Sequence, residues 1–491
     1  MIELNELCIP AIPSKLTFIK KGSDYLIVHP DKPVWTIVNK TGFEIIKLCN
    51  GRRSLHDIGL IISSRNKILL PTVLNDLIKF LKEFTKTGFF SINSEPAGKR
   101  VKKSKPAVSS DSETLSDKPG NKQNFTIDRL FLHVTSKCNY KCRHCYFPDG
   151  SVNGRELSRE EIYSIIDRFI SQGGKSIVLS GGEPLLRKDI INIIKYAFLK
   201  LQISLLTNGS MIDRELIDLL KNKNISIQIS LDGSCAAVND SIRGDGCFRK
   251  AMEAIKLIKD NGLIDRLTIC STIMDQNIND LPNIIKLAEK LDISQLRFLP
   301  LRKEGRGREN WNEINGRVTK KDYISFYKYV YGLIVNKEVR VPIQSGLGGV
   351  AVTFSSDDLK KGMWCNVGRE LTISSNGNVY PCPLLMKDEF LLGNVRKINL
   401  DDIKASEKFK DIHKLCLERQ ELIIKCKRCM WKNFCRAGCA GMALADKNKI
   451  MDVDAFCEFR KKLYEDIIFS LAQNKRGSTK TGQQNISNGC F

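Results

Sequence analysis

The sequence predicts an α/β protein. A parallel sheet curved into a partial, TIM-like (β/α)6 barrel is preceded by a small strand-and-helix module and followed by a cysteine-dense domain. Three observations lead there. From Thr126 to about Leu301, short apolar strands alternate with amphipathic helices six times over. Residues 1–93 instead gather their short strands ahead of their helices. Between Cys365 and Cys457 the chain sets cysteines at short, regular spacings.

In the N-terminal module, Leu16–Ile19, Tyr25–Val28 and Val34–Val38 predict strands separated by Gly22-Ser-Asp and Pro30-Asp-Lys-Pro turns. Thr41–Cys49 predicts a helix stopped by Asn50-Gly51, and Ser54 starts a second to about Ser63. Leu74, Leu77, Ile78, Leu81 and Phe84 share one face of a third, from about Pro71 to Lys86. The unit is winged-helix-like. A DNA-binding winged helix and a dimerisation cap are open readings, but no helix carries the dense Arg, Lys, Asn and Gln face of a recognition helix. Residues 94–124, rich in Ser, Lys and Pro and containing Lys99-Arg-Val-Lys-Lys-Ser-Lys105, predict a flexible linker.

Barrel strands are expected at Leu130–Thr135, Ser176–Ser180, Ile203–Thr207, Ile225–Ser230, Leu267–Ile273 and Leu296–Leu301. Helices are expected near Arg159–Gln172, Asp189–Lys200, Arg214–Lys223, Arg249–Asn261 and Pro282–Leu291, the first opened by a Ser158/Glu161 capping box. The core is thus 125–301, with chemistry at the C-terminal ends of its strands. Residues 302–364 form a bridging region whose Tyr323, Phe326, Tyr327, Tyr329 and Tyr331 predict helix packing; Gly346-Leu-Gly-Gly349 reads as a loop. The cysteine-dense domain is 365–460. Residues 461–491 hold a C-terminal helix and, beyond about Ala472, a disordered tail.

No run of eighteen apolar residues exists in the 491, and Met1-Ile-Glu-Leu-Asn-Glu lacks the form of a secretion signal, so a soluble cytoplasmic protein is expected. Seventeen cysteines in such a chain point to thiolate ligands in a reducing compartment. The net charge of +23 is spread over nearly every segment, as on a solvated surface, which argues against a nucleic-acid partner.

The organising motif is Cys138-x3-Cys142-x2-Cys145, directly after the first barrel strand. Three thiolates on one short loop hold three irons of a [4Fe–4S] cluster and leave the fourth without a protein ligand. A zinc loop completed by His133 or His144 is the alternative. After the second strand comes Ser180-Gly181-Gly182-Glu183-Pro184, whose glycines permit close approach to a ligand and whose acid suits a cationic amine. Later strand ends carry Thr207-Asn208-Gly209, Ser230-Leu-Asp232-Gly233 and Ser271-Thr272. Cys365, Cys382, Cys426, Cys429, Cys435, Cys439 and Cys457 are too many for one zinc and suit two iron–sulfur clusters, although Cys426, Cys429, Cys435 and Cys439 alone also fit a zinc ribbon.

The first array, with the aromatic Tyr146 after it, resembles the radical S-adenosylmethionine (SAM) signature, and the C-terminal spacing resembles the seven-cysteine SPASM pattern of radical SAM maturases. The resemblance implies that Cys138, Cys142 and Cys145 hold the cluster whose open iron chelates SAM, giving a 5′-deoxyadenosyl radical on one-electron reduction. It also implies SAM contacts from Tyr146, Gly181, Gly182, Glu183, Pro184, Asn208 and Ser230. Ser241-Ile-Arg243-Gly244-Asp-Gly246-Cys-Phe248 resembles a segment of these enzymes that sets Arg243 near the SAM carboxylate. Of two auxiliary [4Fe–4S] clusters, making three in all, Cys426, Cys429, Cys435 and Cys457 hold the distal one. Cys365, Cys382 and Cys439 hold the nearer, whose fourth ligand is missing; Cys416 is a substitute or a buried structural cysteine.

Asn39-Lys-Thr-Gly-Phe through Leu48-Cys-Asn-Gly51 resembles the PqqD-like peptide chaperone of pyrroloquinoline-quinone biosynthesis. There a leader peptide adds as a strand, here beside Val34, Trp35, Thr36 and Ile37. The expected partners are a precursor peptide with its leader and a flavodoxin- or ferredoxin-type electron donor. The expected reaction is radical modification of a ribosomally made peptide by Cys thioether formation, an open auxiliary iron gripping the substrate thiolate. Carbon–carbon crosslinking, formylglycine formation and an iron–sulfur nucleic-acid regulator are the alternatives.

Overall fold

The computed structural model describes residues 4–13, 16–86, 89, 91–93, 126–147, 154–222, 224–345 and 365–478. The expected linker, the 346–349 loop, Cys490 and residues 479–491 lie outside these. The chain divides into two compact units, residues 1–124 with 468–491, and residues 125–467.

In the first unit, β1 (Ile9–Ala11) pairs antiparallel with β5 (Ser91–Asn93), while β2 (Thr17–Lys21), β3 (Asp24–Val28) and β4 (Trp35–Asn39) form an antiparallel sheet. Three helices, α1 (Lys40–Leu48), α2 (Leu55–Asn66) and α3 (Leu70–Lys86), stand between β4 and β5. Asn39 caps α1 by accepting from Gly42 N at 2.8 Å, and Ser54 with Asp57 forms a reciprocal capping box on α2. Val73, Leu77 and Leu81 bury one stripe of α3 against Ile58 and Ile62 of α2. Among the described residues β4 pairs only with β3, so it is an edge of this sheet. The strand starts at Trp35, one residue later than expected. Val34 closes the preceding turn, its N–H donating to Lys32 O and its carbonyl accepting from His29 N.

The second unit is built on a ten-stranded sheet. In chain order its strands and helices are β6 (Arg129–Thr135), α4 (Arg159–Ser171), β7 (Ser176–Gly181), α5 (Ile190–Ala197), β8 (Gln202–Thr207), α6 (Arg214–Leu220) and β9 (Ile225–Ser230). Then come α7 (Ala236–Arg243), α8 (Cys247–Asp260), β10 (Leu267–Ile273), α9 (Leu281–Leu291) and β11 (Gln295–Pro300). The bridging region supplies α10 (Arg306–Glu309), α11 (Trp311–Asn315), α12 (Lys320–Val335) and β12 (Ile343–Ser345). β13 (Glu370–Ile373), β14 (Asn378–Tyr380) and β15 (Gly393–Asn394) follow.

The order is β12-β11-β10-β9-β8-β7-β6-β13-β14-β15, with β12 through β13 mutually parallel and the last two antiparallel. The expected strands are all present within a residue or so. Two neighbours were not expected. β12 extends the sheet beyond β11, and β13, from the cysteine-dense region, pairs with β6. The cysteine-dense region therefore continues the sheet of the core.

The two faces of this sheet differ. Leu130, Leu132, Ile177, Leu179, Ile203, Leu205, Ile227, Ile229, Leu296 and Phe298 are at most 1% exposed. Each such side chain stabilises the fold by roughly 1.5–3 kcal/mol. The alternate positions, Phe131, Val178, Ser204, Gln228, Thr268 and Arg297, stay half-buried and largely polar. There Arg297 donates to Gln228 Oε1 at 3.2 Å and to Gln344 Oε1 at 2.9 Å. A polar, accessible face beneath the strand ends can receive a polar substrate.

The remaining helices are α13 (Leu400–Ala405), α14 (Glu407–Leu422), α15 (Ile424–Lys427), α16 (Lys432–Cys435), α17 (Ala440–Lys447) and α18 (Cys457–Ser478). α18 runs on to Ser478, past the expected onset of a disordered tail near Ala472. Tyr323, Phe326, Tyr327 and Tyr331 are buried on α12, as expected of packing residues, whereas Tyr329 is exposed.

Candidate active site and cysteine centres

The loop carrying Cys138, Cys142 and Cys145 leaves the C-terminal end of β6, where the pairing with β7 shifts register between His133 and Thr135. Neighbouring elements pin it. Arg143 N donates to Ile242 O at the end of α7, Arg306 Nε donates to Cys142 O at 2.9 Å, and Asn310 Nδ2 donates to Arg143 O. Cys138, Cys142 and Cys145 pack together with Tyr140 and Cys247. Burial pushes the Cys142 thiol up to about 12 and raises Cys138 and Cys145 as well, while the Arg243 and Arg306 guanidinium groups pull the other way. Such thiols stay protonated until a metal displaces the protons, and nearby cations favour the thiolates once formed. The donor set fits an anionic iron–sulfur cluster.

Gly181 and Gly182 have a structural role besides the ligand contact the sequence predicts. Gly181 sits at φ +134°, and a Cβ there would lie 2.1 Å from Thr135 O; one on Gly182 would lie 2.2 Å from Lys137 O. Their missing side chains let the β7 end lie against the root of the cysteine loop. Gly182 N and Glu183 N then donate to Thr135 O and Lys137 O.

Glu183 also differs from expectation. It is 1% exposed, and its carboxylate accepts from Leu185 N at 3.1 Å, Thr207 Oγ1 at 2.7 Å and Asn208 N at 2.7 Å. The acid is committed to tying the β7 and β8 ends together, rather than offered to an amine. Burial still raises its pKa against these bonds. Pro184 opens the short 3-10 turn that follows. Asn208 donates to Asn139 Oδ1 at 2.8 Å, so it braces the cysteine loop from β8.

Arg243 ends α7, and its Nη2 lies 2.7 Å from Asp232 Oδ2, with Nη1 3.8 Å from Cys142 Sγ. Asp232 is wholly buried, and its other oxygen accepts from Thr272 N at 2.7 Å. His144 Nε2 stands 3.5 Å from Asp232, but burial lowers its pKa to about 4, which keeps it neutral near pH 7. The guanidinium expected near a SAM carboxylate is thus already held by a protein carboxylate and aimed at the cysteine loop. Ser230 lies at the end of β9 on the half-buried face, paired in register with Cys270. The Arg302 guanidinium covers the Tyr146 ring at 4.4 Å.

Sequence reasoning placed Asp232 in a strand-end motif without giving it a role and missed Asn139, Arg306 and Glu156 as site residues; Glu156 accepts from Thr135 Oγ1 and Ser136 N. The signal for Asp232 was available, since an acid two residues past a strand end, with Arg243 downstream, has a partner to bury with.

Cys426, Cys429, Cys435 and Cys457 line one small cleft with Lys425, Arg460, Lys461 and Tyr464. Arg460 donates from Nε to Cys435 Sγ at 3.2 Å and pairs with buried Asp454 at 2.6 Å, a second guanidinium set against thiols. Cys365 and Cys439 both act electrostatically on Cys382, whose pKa burial raises well above the ordinary thiol range. Among the described residues no three His, Cys, Asp or Glu side chains meet at a single point as ligands of one ion do; the distal thiols ring a cleft instead.

Residues 132–288 match the radical SAM superfamily, and residues 365–430 match the SPASM iron–sulfur cluster-binding domain. The mycofactocin maturase MftC of Mycobacterium ulcerans is 32% identical over 269 residues, 54% of this chain and 71% of that protein. The cysteine-type anaerobic sulfatase-maturating enzyme of Clostridium perfringens is 24% identical over 365 residues, 69% of this chain and 95% of that protein. The crystal structure of Streptococcus suis SuiB bound to S-adenosylmethionine superposes with a TM-score of 0.55 at 14% identity, covering 90% of this chain and 98% of that one.

Proposed function

The chain belongs to the radical SAM superfamily, and from that premise we propose that this enzyme modifies a ribosomally made peptide by forming Cys sulfur-to-carbon thioether bonds. The observation that carries the reading is the Cys138–Cys145 loop, pinned at a strand end between Arg243 and Arg306 in a chain that also matches the SPASM domain. When bound, the cluster and SAM supply a carbon radical that removes a hydrogen atom from the substrate.

The chain's own residues do the rest. Cys138, Cys142 and Cys145 hold the SAM-binding cluster, and Gly181, Gly182 and Pro184 present backbone groups to the SAM amine. Glu183, Asn208 and Asp232 keep those groups and Arg243 in place, while Ser230 and Tyr146 flank the nucleoside. The polar sheet face with Gln228 and Arg297 receives the peptide, in a sheet we read as a partial barrel. Cys426, Cys429, Cys435 and Cys457 hold a distal auxiliary cluster, and Cys365, Cys382 and Cys439 a nearer one.

The first unit is read as a PqqD-like leader-binding element. Its docking edge is β4 at the half-buried Trp35, Thr36 and Ile37, where an incoming strand finds main-chain partners. Val34, its backbone engaged in the turn, flanks that edge. No helix of the described residues is long and apolar enough to cross a membrane. A flavodoxin- or ferredoxin-type donor in the cytoplasm is the electron source in this reading.

Thioether formation removes one hydrogen atom from carbon and one proton from the cysteine thiol, leaving one electron to be taken up. Co-expression with the cognate precursor peptide is expected to give a product lighter by two hydrogens per bond, with one cysteine per bond resistant to alkylation. A product with that mass loss but all thiols alkylatable would instead be a carbon–carbon crosslink, and one in which cysteine has become an aldehyde would be formylglycine.

A further inference from the structure

Cys416 belongs to no recognised spacing, yet the fold sets it among the thiols of the nearer auxiliary site. It lies on the buried face of α14 with Phe409, Ile412 and Arg419. His413, Cys416 and Arg419, three residues apart, make one stripe along that helix. Both ends of the stripe are anchored to segments that carry cluster cysteines.

At one end, a Cβ on Gly368 would come within 2.5 Å of the His413 ring, so the turn after Cys365 is pressed on α14. At the other, the Arg419 guanidinium is 1% exposed and donates to Gly438 O at 2.8 Å, Ile450 O at 2.7 Å and Asp452 O at 2.7 Å. That fork fixes the turn leading directly into Cys439. The segment after Cys382 is pressed on the same place, since a Cβ on Gly441 would lie 2.6 Å from Leu384 O. Between these contacts the Cys416 thiol neighbours that of Cys365, each acting on the other's ionisation, and lies within electrostatic reach of Cys382. The segments that carry Cys365, Cys382 and Cys439 are thereby brought to the helix that carries Cys416.

We propose that Cys416 is the fourth thiolate ligand of the auxiliary cluster held by Cys365, Cys382 and Cys439. The inference rests on reading residues 365–460 as a cluster-binding domain. On ligation the Cys416 thiol releases one proton to solvent and its sulfur bonds the remaining iron. No iron of that cluster is then open to a substrate thiolate. The cluster becomes a carrier for the electron left over from crosslinking, and the substrate sulfur must reach the carbon without that iron. On this proposal the cluster lacks the open iron that the family resemblance implies.

The test uses the full chain with Cys138→Ala, Cys142→Ala and Cys145→Ala, so that only auxiliary clusters remain after anaerobic reconstitution. This parent is expected to hold about eight irons per chain. Adding Cys416→Ala is expected to leave one cluster with a labile iron. Brief ferricyanide oxidation, which removes that iron, then gives the electron paramagnetic resonance signal of a three-iron cluster. Cys416→Ser guards against loss of folding, with oxygen ligation expected to shift the spectrum of the reduced cluster. Exposed Cys235→Ala in the same parent is expected to change neither. Equal iron retention and superimposable spectra for Cys416→Ala, Cys416→Ser and the parent would overturn the proposal alone. A parent that takes up no iron would overturn the domain reading with it.

Discussion

Replacing Arg243 with methionine strands a carboxylate. Asp232 has no exposed surface, and its Oδ2 faces the guanidinium at 2.7 Å. Thr272 N satisfies only the other oxygen, and burial opposes the charging of His144, 3.5 Å away. Removing one partner of such a buried pair costs about 3–5 kcal/mol, because the survivor keeps its charge without compensation. At about 1.4 kcal/mol per factor of ten, local opening should become more frequent by between two and three and a half orders of magnitude. Hydrogen exchange by mass spectrometry on the full chain reads this directly in peptides containing the Cys142–Tyr146 loop and Thr272. Arg243→Met is expected to lose that much protection there while peptides of α3 are unchanged. Asp232→Asn combined with Arg243→Met is expected to recover most of it, since no charge is left buried alone. Full protection in the single variant, or no recovery in the double, would refute the claim that this pair supports the cysteine loop.

Other outcomes follow from the same geometry. Gly181→Ala places a methyl 2.1 Å from Thr135 O at a positive φ, and the displaced cysteine loop is expected to lower reconstituted iron by about four per chain, read by a ferrozine assay. Glu183→Gln leaves one of three hydrogen-bond donors without an acceptor, at about 1–3 kcal/mol, and SAM affinity measured by equilibrium dialysis is expected to fall about ten- to a hundredfold. His133 is fully buried between Phe131 and Phe147, and neither ring nitrogen has a hydrogen-bond partner among the described residues. Burial, aided by Arg302, lowers its pKa to about 3. The unfolded chain, with histidine near 6.5, therefore binds the extra proton first, and stability from this group is lost as pH falls from about 6.5 towards 3. His133→Phe is expected to flatten that part of the apoprotein's urea-midpoint profile.

Much of the fold was legible because it is local. Each strand from β6 to β11 is an apolar run bounded by turn residues, and the Ser158/Glu161 capping box announces α4 at the residue where it begins. What escaped is mostly long-range pairing. β13 joins β6 across more than two hundred residues, and β1 meets β5 from opposite ends of its unit. No periodicity within a segment reports a partner that far away. α7 escaped because Ala236-Ala-Val-Asn-Asp-Ser-Ile-Arg243 is short and polar.

At the site, cysteine spacing was readable because ligand geometry constrains it. The chain-to-chain contacts of Gly181, Gly182 and Glu183 escaped because close backbone approach and a buried acid look alike in sequence, whether the neighbour is a cofactor or the chain itself. Cys416 was ambiguous for the opposite reason. A ligand supplied by a helix between two motifs has no spacing of its own, and only the contacts of His413 and Arg419 reveal where that helix lies.

The central claim is that Cys138, Cys142 and Cys145 hold a cluster that breaks SAM reductively. Anaerobically reconstituted full-length protein, reduced with dithionite and given SAM, is expected to release 5′-deoxyadenosine, and Cys142→Ala is expected to release none. Wild-type protein that carries its iron and sulfide yet yields no 5′-deoxyadenosine, or a Cys142→Ala variant that yields as much as wild type, would contradict the account.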